Sequence, residues 1–169
     1  MSNIHPLADV EDTSRIPAST KVWRWTHIRP KASIGDNVMI GQGCFVDNDA
    51  VIGDGTRIQN GVSIWSGVFL GKNVFVGPNC VFTNVKEPRA DQSQSYEVTV
   101  IEEGVTIGAN ATIVCGVRIG HHAFVAAGSV VTHDVPPGAK VMGVPARIVK
   151  PKPEPKKYKI DPADGMVGC

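Results

Sequence analysis

A polar segment between residues 83 and 97 holds the side chains of this chain that are best suited to chemistry. It reads TNVKEPRADQSQSYE and includes Asn84, Lys86, Glu87, Arg89, Asp91 and Tyr96. These residues bring amide, ammonium, carboxylate, guanidinium and phenol groups into one short stretch. A long loop in an economical fold is usually either functional or disordered. Because a structural connection would not require so many polar groups, we predict that this loop contributes to a site.

Three arginines, Arg24, Arg29 and Arg89, are candidates for binding an anionic ligand. A guanidinium group matches the geometry of a phosphate or a carboxylate bidentately. The competing interpretation is that they are surface residues at outward strand positions. The histidines that could act as a base are His27, His121, His122 and His133. None of the four is assigned as a base, and we interpret His122 as a turn residue.

The element that must position these groups is a repeat of six residues. Aliphatic residues recur at this step fourteen times from Ile4 to Phe82, and six times more from Ile101 to Val131. A small or β-compatible residue, such as Cys44, Ala50 or Val62, follows four positions after each aliphatic. Two such residues point to the same side of a strand. The period is not that of an amphipathic helix, so the pattern predicts a solenoid of short strands.

The third residue after each aliphatic marks a corner. From Asn37 to Asp134 there are fourteen such positions, and thirteen of them are Gly, Asn or Asp, the exception being His122. These residue types tolerate positive φ, and His also visits that region. Three hexads would close one triangular coil, and twenty hexads would form between six and seven coils. At about 4.8 Å per coil, the prism would be roughly 30 Å long. Earlier corners, such as Trp25 and Lys31, break the rule, so we expect less regular first coils.

Composition excludes several classes of function. The net charge of +1 gives no general case for nucleic acid or a membrane surface, and no apolar run approaches twenty residues. The acidic N-terminal stretch is not a signal peptide, and the four cysteines do not suggest a disulfide framework. We therefore expect a cytoplasmic, reduced protein. We predict one β-helix domain over residues 1–150 and a tail over 151–169, which is rich in Pro and Lys.

Several motifs resemble those of a known family. The hexads resemble the left-handed parallel β-helix of the hexapeptide-repeat acyltransferases, and GSVVTHDVPPGAKVMGVPARIVK (128–150) is similar to the end of that domain. A tighter resemblance comes from THIR (26–29), IQNGVSI (58–64), NVFVGPNCVFTN (73–84) with PR (88–89), and IGANATIVCGVRIG (107–120). These resemble the N-acetyltransferases that act on the 3-amino group of nucleotide-linked sugars. The repeat is specific for fold, whereas FTN followed by PR is the better signal for function.

The resemblance implies an all-β, left-handed parallel β-helix that works as a homotrimer. It implies transfer of an acetyl group from acetyl-CoA to a nucleotide-linked amino sugar, as in the biosynthesis of lipopolysaccharide or another surface polysaccharide. A UDP-linked 2-acetamido-3-amino uronic acid is the substrate that we expect. No metal is expected, and the sites would lie at the subunit interfaces.

The same resemblance suggests roles for individual residues. Asn84 is similar to the family's active-site asparagine, and its alternative role is to cap the turn where the loop departs. Contacts to the substrate are expected from Arg24, His27, Arg29, Gln59, Asn60 and Arg89. Contacts to coenzyme A are expected from Ala109, Ala126, Ala127, Gly128, Arg147 and Lys150. Trp23, Trp25 and Trp65 should point outward, for subunit packing or, alternatively, for stacking on a nucleobase.

Three other functions compete with this one. An O-acetyltransferase would need a general base, normally His, near the thioester. A γ-class carbonic anhydrase would need three histidines that converge on a metal ion, and no third histidine completes a triad with His121 and His122. A solenoid without catalytic activity is the remaining alternative.

Overall fold

The computed structural model describes residues 3–12, 15–91 and 95–149 of the 169. Lys150 and the predicted tail lie outside these residues. Twenty strands of two or three residues form three sheets, which are the faces of a triangular prism with about seven coils. All strand pairs are parallel except the last, β19 with β20, which is antiparallel. The all-β, left-handed parallel β-helix predicted from the sequence is thus confirmed. Within the described ranges, no helix is long and apolar enough to cross a membrane.

The chain visits the three faces in the order A, B, C. Face A contains β2 (Lys21–Val22), β5 (Met39–Ile40), β8 (Arg57–Ile58), β11 (Phe75–Val76), β14 (Thr106–Ile107), β17 (Phe124–Val125), β19 (Lys140–Met142) and β20 (Arg147–Ile148). Face B contains β1 (Asp9–Val10), β3 (His27–Ile28), β6 (Phe45–Val46), β9 (Ser63–Ile64), β12 (Val81–Phe82), β15 (Thr112–Ile113) and β18 (Val130–Val131). Face C contains β4 (Ser33–Ile34), β7 (Val51–Ile52), β10 (Val68–Leu70), β13 (Thr99–Ile101) and β16 (Arg118–Ile119).

The parallel register stacks residues that are eighteen apart in sequence. Val22, Ile40, Ile58 and Val76 are successive Cα partners on face A, and Val76 then pairs with Ile107. That last spacing is thirteen residues longer because the polar loop is inserted between β12 and β13. The strands on both sides of the insertion keep their register, as the hexad pattern predicts.

The second residue of most strands points into the prism and forms the core. Ile40, Val46, Ile58, Ile64 and Ile107 have no exposed surface. Complete burial of an aliphatic side chain of this size contributes roughly 1.5–3 kcal/mol, so the stacked column is the main source of stability. The smaller inward positions, such as Cys44, Ala50 and Val62, are buried as predicted.

The corners adopt the conformation that their residue types indicate. Thirteen of the fourteen predicted corner residues have positive φ, including Asn37 (55°), Asn73 (54°) and His122 (57°). The exception is Asp134, which follows the last regular hexad. There the register shortens, since Ile119 pairs with Val135 and Val125 with Val141. The predicted irregularity of the first coils is only partly correct, because Trp25 keeps the corner conformation at φ 59°.

Two glycines test how tightly the coils are stacked. A Cβ on Gly53 would lie 2.6 Å from the backbone carbon of Gly71, whereas a Cβ on Gly43 would have nothing within 4 Å. Gly43 has φ +64°, so alanine there carries mainly a conformational cost of about 1 kcal/mol.

We expect Gly53→Ala to destabilise the protein by a further 1–3 kcal/mol, roughly, relative to Gly43→Ala, because the backbone of the next coil must shift. Thermal unfolding of the two variants beside the wild type measures the difference. Equal melting temperatures for the two variants would contradict the tight stacking of coils at this position.

Candidate active site

The A/B edge, where each coil turns from face A to face B, carries seven of the predicted site residues. Residues 23–25, 41–43, 59–61, 77–79, 108–110 and 126–128 lie above one another there. Backbone hydrogen bonds join these levels, for example from the Asn79 N–H to the Asn60 carbonyl and from the Gly128 N–H to the Ala109 carbonyl. The edge is therefore one continuous surface along the prism.

The C-terminal end of this edge, here called its upper part, carries mainly small side chains. Ala109, Ala126, Ala127 and Gly128, which the sequence analysis predicts as coenzyme contacts, occupy two adjacent coils. Below them, a Cβ on Gly77 would lie 2.5 Å from the backbone nitrogen of Ala109. The surface here is backbone with short side chains, which allows a long, thin ligand to approach closely. Arg147, on β20 at the same end, is exposed, and its Nη1 donates to the Ala146 carbonyl at 2.9 Å.

The lower part of the A/B edge contains a cleft of about 310 Å³, here called the Trp23 cleft. Its lining residues are Trp23, Met39, Gly41, Gln42, Ile58, Gln59 and Asn60. Gly41 stacks between Trp23 and Gln59, and a Cβ on it would lie 2.7 Å from the backbone nitrogen of Asn60, so the coils leave no room for a side chain there. Arg24 follows Trp23, and its Cζ lies 5.5 Å from the ring centroid of Trp25. Two predicted substrate contacts, Gln59 and Asn60, thus line one cleft, and a third, Arg24, is adjacent to it in sequence.

Asn60 also has a structural role that the sequence analysis did not assign. Its Oδ1 accepts a hydrogen bond from the Gln42 N–H at 3.0 Å. Asp54 accepts from Asp36 N–H and Asn48 from Lys31 N–H in the same manner at the other two edges. This bond between coils recurs. The side-chain oxygen of Asn60 is therefore already engaged, and only the NH2 of its side-chain amide is left for other partners.

His27 and Arg29 form an ionic cluster on the lower part of face B. His27 Nε2 lies 2.8 Å from Glu11 Oε1 and 3.9 Å from Asp9 Oδ2, and Arg29 Nε lies 3.1 Å from the same Glu11 oxygen. The His27 ring also meets Phe45 edge to face at 5.4 Å. Because Glu11 pairs with the Arg29 guanidinium, this cluster is a weaker anion site than an unpaired arginine would be.

Asn84 lies where the polar loop leaves the B/C edge. Its carbonyl oxygen accepts a hydrogen bond from the Glu97 N–H at 2.8 Å, which closes the neck of the loop. Its side chain is half-buried, and among the described residues the carboxamide has no hydrogen-bond partner. The backbone of Asn84 therefore has the turn role, while its amide remains able to bind a ligand. Arg89 lies further along the same loop and is exposed.

A second cleft, of about 470 Å³, lies directly above Asn84 on the B/C edge. It is lined by Lys86, Val114, Cys115, Gly116, Val117, Thr132, His133 and Asp134. His133 Nδ1 lies 2.9 Å from Thr132 Oγ1, which fixes the ring. The sequence analysis named Lys86 only as part of the polar loop and His133 only as one of four possible bases, and it gave neither a specific role. For His133 the signal was positional, since Asn84, Cys115 and His133 occupy equivalent places in three successive coils.

The predicted site residues thus fall on two separate parts of one chain. Asn84, Arg29 and Arg89 belong to the B/C edge or its loop, whereas the predicted coenzyme contacts belong to the A/B edge. Six residues separate two corners of a coil, which corresponds to at most about 20 Å. Face B therefore lies between the two groups of residues on the same prism.

His121, His122 and Cys80 have structural surroundings. His121 and His122 lie at the C/A edge with ring planes 88° apart. Glu102 accepts hydrogen bonds from the Arg118 side chain and the His121 N–H, and these contacts lower the pKa of Glu102. Burial raises the pKa of Cys80 to about 12, so that thiol stays protonated in the core. Among the described residues, no group of three His, Cys, Asp or Glu side chains could hold a metal ion.

Family models and known relatives agree with this geometry. The model described as bacterial transferase hexapeptide (six repeats) matches residues 49–84 and 99–133, and the hexapeptide repeat of succinyl-transferase matches residues 31–66. The chain is 51% identical over 146 residues to dTDP-3-amino-3,6-dideoxy-alpha-D-galactopyranose 3-N-acetyltransferase from Aneurinibacillus thermoaerophilus, covering 86% of this chain and 76% of the relative. This chain belongs to the hexapeptide-repeat acyltransferase family.

Two solved structures share its β-helix. One is a mutant of perosamine N-acetyltransferase from Caulobacter crescentus in complex with CoA and GDP-perosamine, with a TM-score of 0.65 and 26% identity over 88% of this chain and 56% of that one. The other is the acetyltransferase domain of PglB from Neisseria gonorrhoeae in complex with acetyl coenzyme A, with a TM-score of 0.64 and 23% identity over 86% of this chain and 56% of that one. The chain thus spans just over half the length of each.

Proposed function

We propose that this chain is an acetyl-CoA-dependent N-acetyltransferase that acts on the 3-amino group of a nucleotide-linked amino sugar. The carboxamide of Asn84, half-buried beside a cleft and without a partner among the described residues, is the observation on which the proposal depends. The similarity to a dTDP-3-amino sugar 3-N-acetyltransferase supports the same reaction. The small-residue A/B edge, with Ala109, Ala126 and Ala127, supports coenzyme A as the donor.

The reaction requires a neutral amine, alignment with the thioester and stabilisation of the oxyanion. The amine nitrogen attacks the thioester carbon, the C–N bond forms and the C–S bond breaks. The thiolate leaves with the electron pair, and the amine proton passes to it or to water. In this reaction, the Asn84 carboxamide either accepts a hydrogen bond from the amine or donates one to the oxyanion. A strong base is less necessary than for a hydroxyl nucleophile.

The assembly that we propose is a homotrimer with the reaction centre between neighbouring prisms. Asn84 lies on the B/C edge and the coenzyme residues lie on the A/B edge. One chain alone does not bring these groups together, whereas two chains packed around a threefold axis can do so. We place the enzyme in the cytoplasm, in the biosynthesis of a surface polysaccharide such as lipopolysaccharide.

The sugar is the finer part of the proposal. The similar enzyme from Aneurinibacillus acts on a 3,6-dideoxy sugar, whereas the sequence motifs suggest a 2-acetamido-3-amino uronic acid. Recognition of a uronate needs a cation near the sugar ring, and Lys86, which lines the second cleft, is better placed for this than Arg29, which is paired with Glu11. A panel of UDP-linked and dTDP-linked 3-amino sugars, assayed with acetyl-CoA by thiol release, tests the assignment. If no member of the panel is acetylated, the proposed function is wrong.

We expect Asn84→Ala to lower kcat by about 10²–10³-fold, as for the loss of one preorganised donor at an oxyanion. The matched control is Asn73→Gly, which removes an asparagine from a corner on another edge where glycine tolerates the φ of 54°. Steady-state kinetics with light scattering for the oligomer makes the comparison. Turnover like that of the wild type in an intact Asn84→Ala oligomer would contradict the site.

Subunits with different defects should complement each other. We expect Asn84→Ala and Ala127→Trp each to be inactive alone, the second because an indole fills the coenzyme path. When the two chains are coexpressed in equal amounts, about a quarter of the interfaces combine two intact edges, so about a quarter of the activity returns. Activity no greater than that of the separate variants would show that both edges must come from one chain.

The second candidate is an O-acetyltransferase, and the position of His133 favours it. His133 lines the cleft above Asn84 with its Nδ1 held by Thr132, as a general base would require. We expect His133→Gln to keep at least about a third of the activity on an amine substrate. Loss of about 10²-fold or more, the usual contribution of a general base, would favour base-assisted chemistry instead.

A further inference from the structure

The Trp23 cleft is built for a flat, polar ligand. Its lower wall is the indole of Trp23, which is 48% exposed, and its back wall is the bare backbone of Gly41. Gln42 and Gln59 line the cleft with carboxamides that have no hydrogen-bond partner among the described residues. An exposed indole beside unsatisfied amides has the chemistry needed to stack on a base and to hydrogen-bond its edge.

The neighbouring residues add a cation, Arg24, and an exposed aromatic residue with a strained backbone, Trp25. Trp25 is 62% exposed and has φ 59° at a corner where the other regular coils use small or polar residues. A bulky residue in this region is an outlier whose conformational cost is of order 1–3 kcal/mol. Packing does not offset that cost, since the ring is mostly in solvent. Arg24 lies against Trp25 at 5.5 Å and presents its guanidinium at the same edge.

The space above this pair of tryptophans is also open. Gly43 is the corner residue that stacks on Trp25 in the next coil, and nothing lies within 4 Å of a Cβ built on Gly43. The side-chain oxygen of Asn60 already accepts a hydrogen bond from the Gln42 N–H, so Asn60 offers the cleft only the N–H groups of its side-chain amide. The edge therefore combines a stacking surface, amide groups and one arginine within three adjacent coils.

We propose that the Trp23 cleft binds the base of the nucleotide-linked substrate by stacking on Trp23, with the amide of Gln59 at the edge of the base and Arg24 at the diphosphate. This inference rests on the proposed function and specifies which residues hold the nucleotide. The base then lies at the lower end of the A/B edge, below the small-residue coils assigned to coenzyme A. The two ligands would occupy the same edge end to end.

The test is the binding of UDP and dTDP, measured by titration calorimetry without acetyl-CoA. We expect Trp23→Ala to weaken the binding of whichever nucleotide the wild type prefers by about 5–100-fold, the usual effect of losing one base–aromatic stack. Gln59→Ala should weaken it by about 3–10-fold, as for one hydrogen bond. Phe75→Ala, which removes another partly exposed aromatic residue from face A, is the control and should bind like the wild type.

The outcomes separate this inference from the proposed function. If the wild type acetylates a nucleotide-linked amino sugar but both cleft variants bind the nucleotide normally, the cleft is wrong and the function stands. If Trp23→Ala disrupts the oligomer in light scattering while Gln59→Ala leaves binding unchanged, Trp23 serves subunit packing and the inference is overturned. Weakened binding by Gln59→Ala in an intact oligomer supports it. Failure of the sugar panel would instead contradict the proposed function.

Discussion

Pairing of backbone groups between successive coils is the constraint on which the rest of this protein depends. Backbone N–H and C=O groups of the strands bond to the coil above or below, and the paired Cα positions are eighteen residues apart. Before the terminal turns, only the polar loop lengthens that spacing. This pairing fixes the coil separation at about 4.8 Å. At that separation Gly53 and Gly77 have no room for a Cβ, and side chains such as Ile58 and Val76 must stack directly on each other.

The same constraint restricts where function can reside. Inward positions are occupied by the core, and most corner positions are committed to positive φ, so chemistry must use outward positions or an insertion. The insertion leaves at the B/C edge without disturbing the register, because a corner can be extended while its flanking strands stay paired. Asn84 stands at the neck of that insertion, with its backbone used for closure and its side chain for chemistry.

Much of this architecture was predictable because it follows from local residue types. The step of six identified the inward residues from Val22 to Val131, and the corner residues were found except at Asp134, where two residues are missing from the hexad. Trp25 shows the limit of that reasoning. Its type argues against a left-handed corner, yet the coils above and below impose the turn, since Trp25 N–H bonds to Leu7 and Gly43 N–H bonds to Arg24.

The sequence by itself determined the repeat, the core and the conformation of most corners, because each depends on residue type at a short, fixed spacing. It also supplied Asn84 and the arginines as candidates. Only the tertiary structure decided which of them share an edge, because a period of six does not distinguish three equivalent faces. Closure of the coil after three hexads places Trp23 beneath Gly41 and Gln59. The inserted loop likewise brings Lys86 and His133, which lie 47 residues apart in sequence, to one cleft.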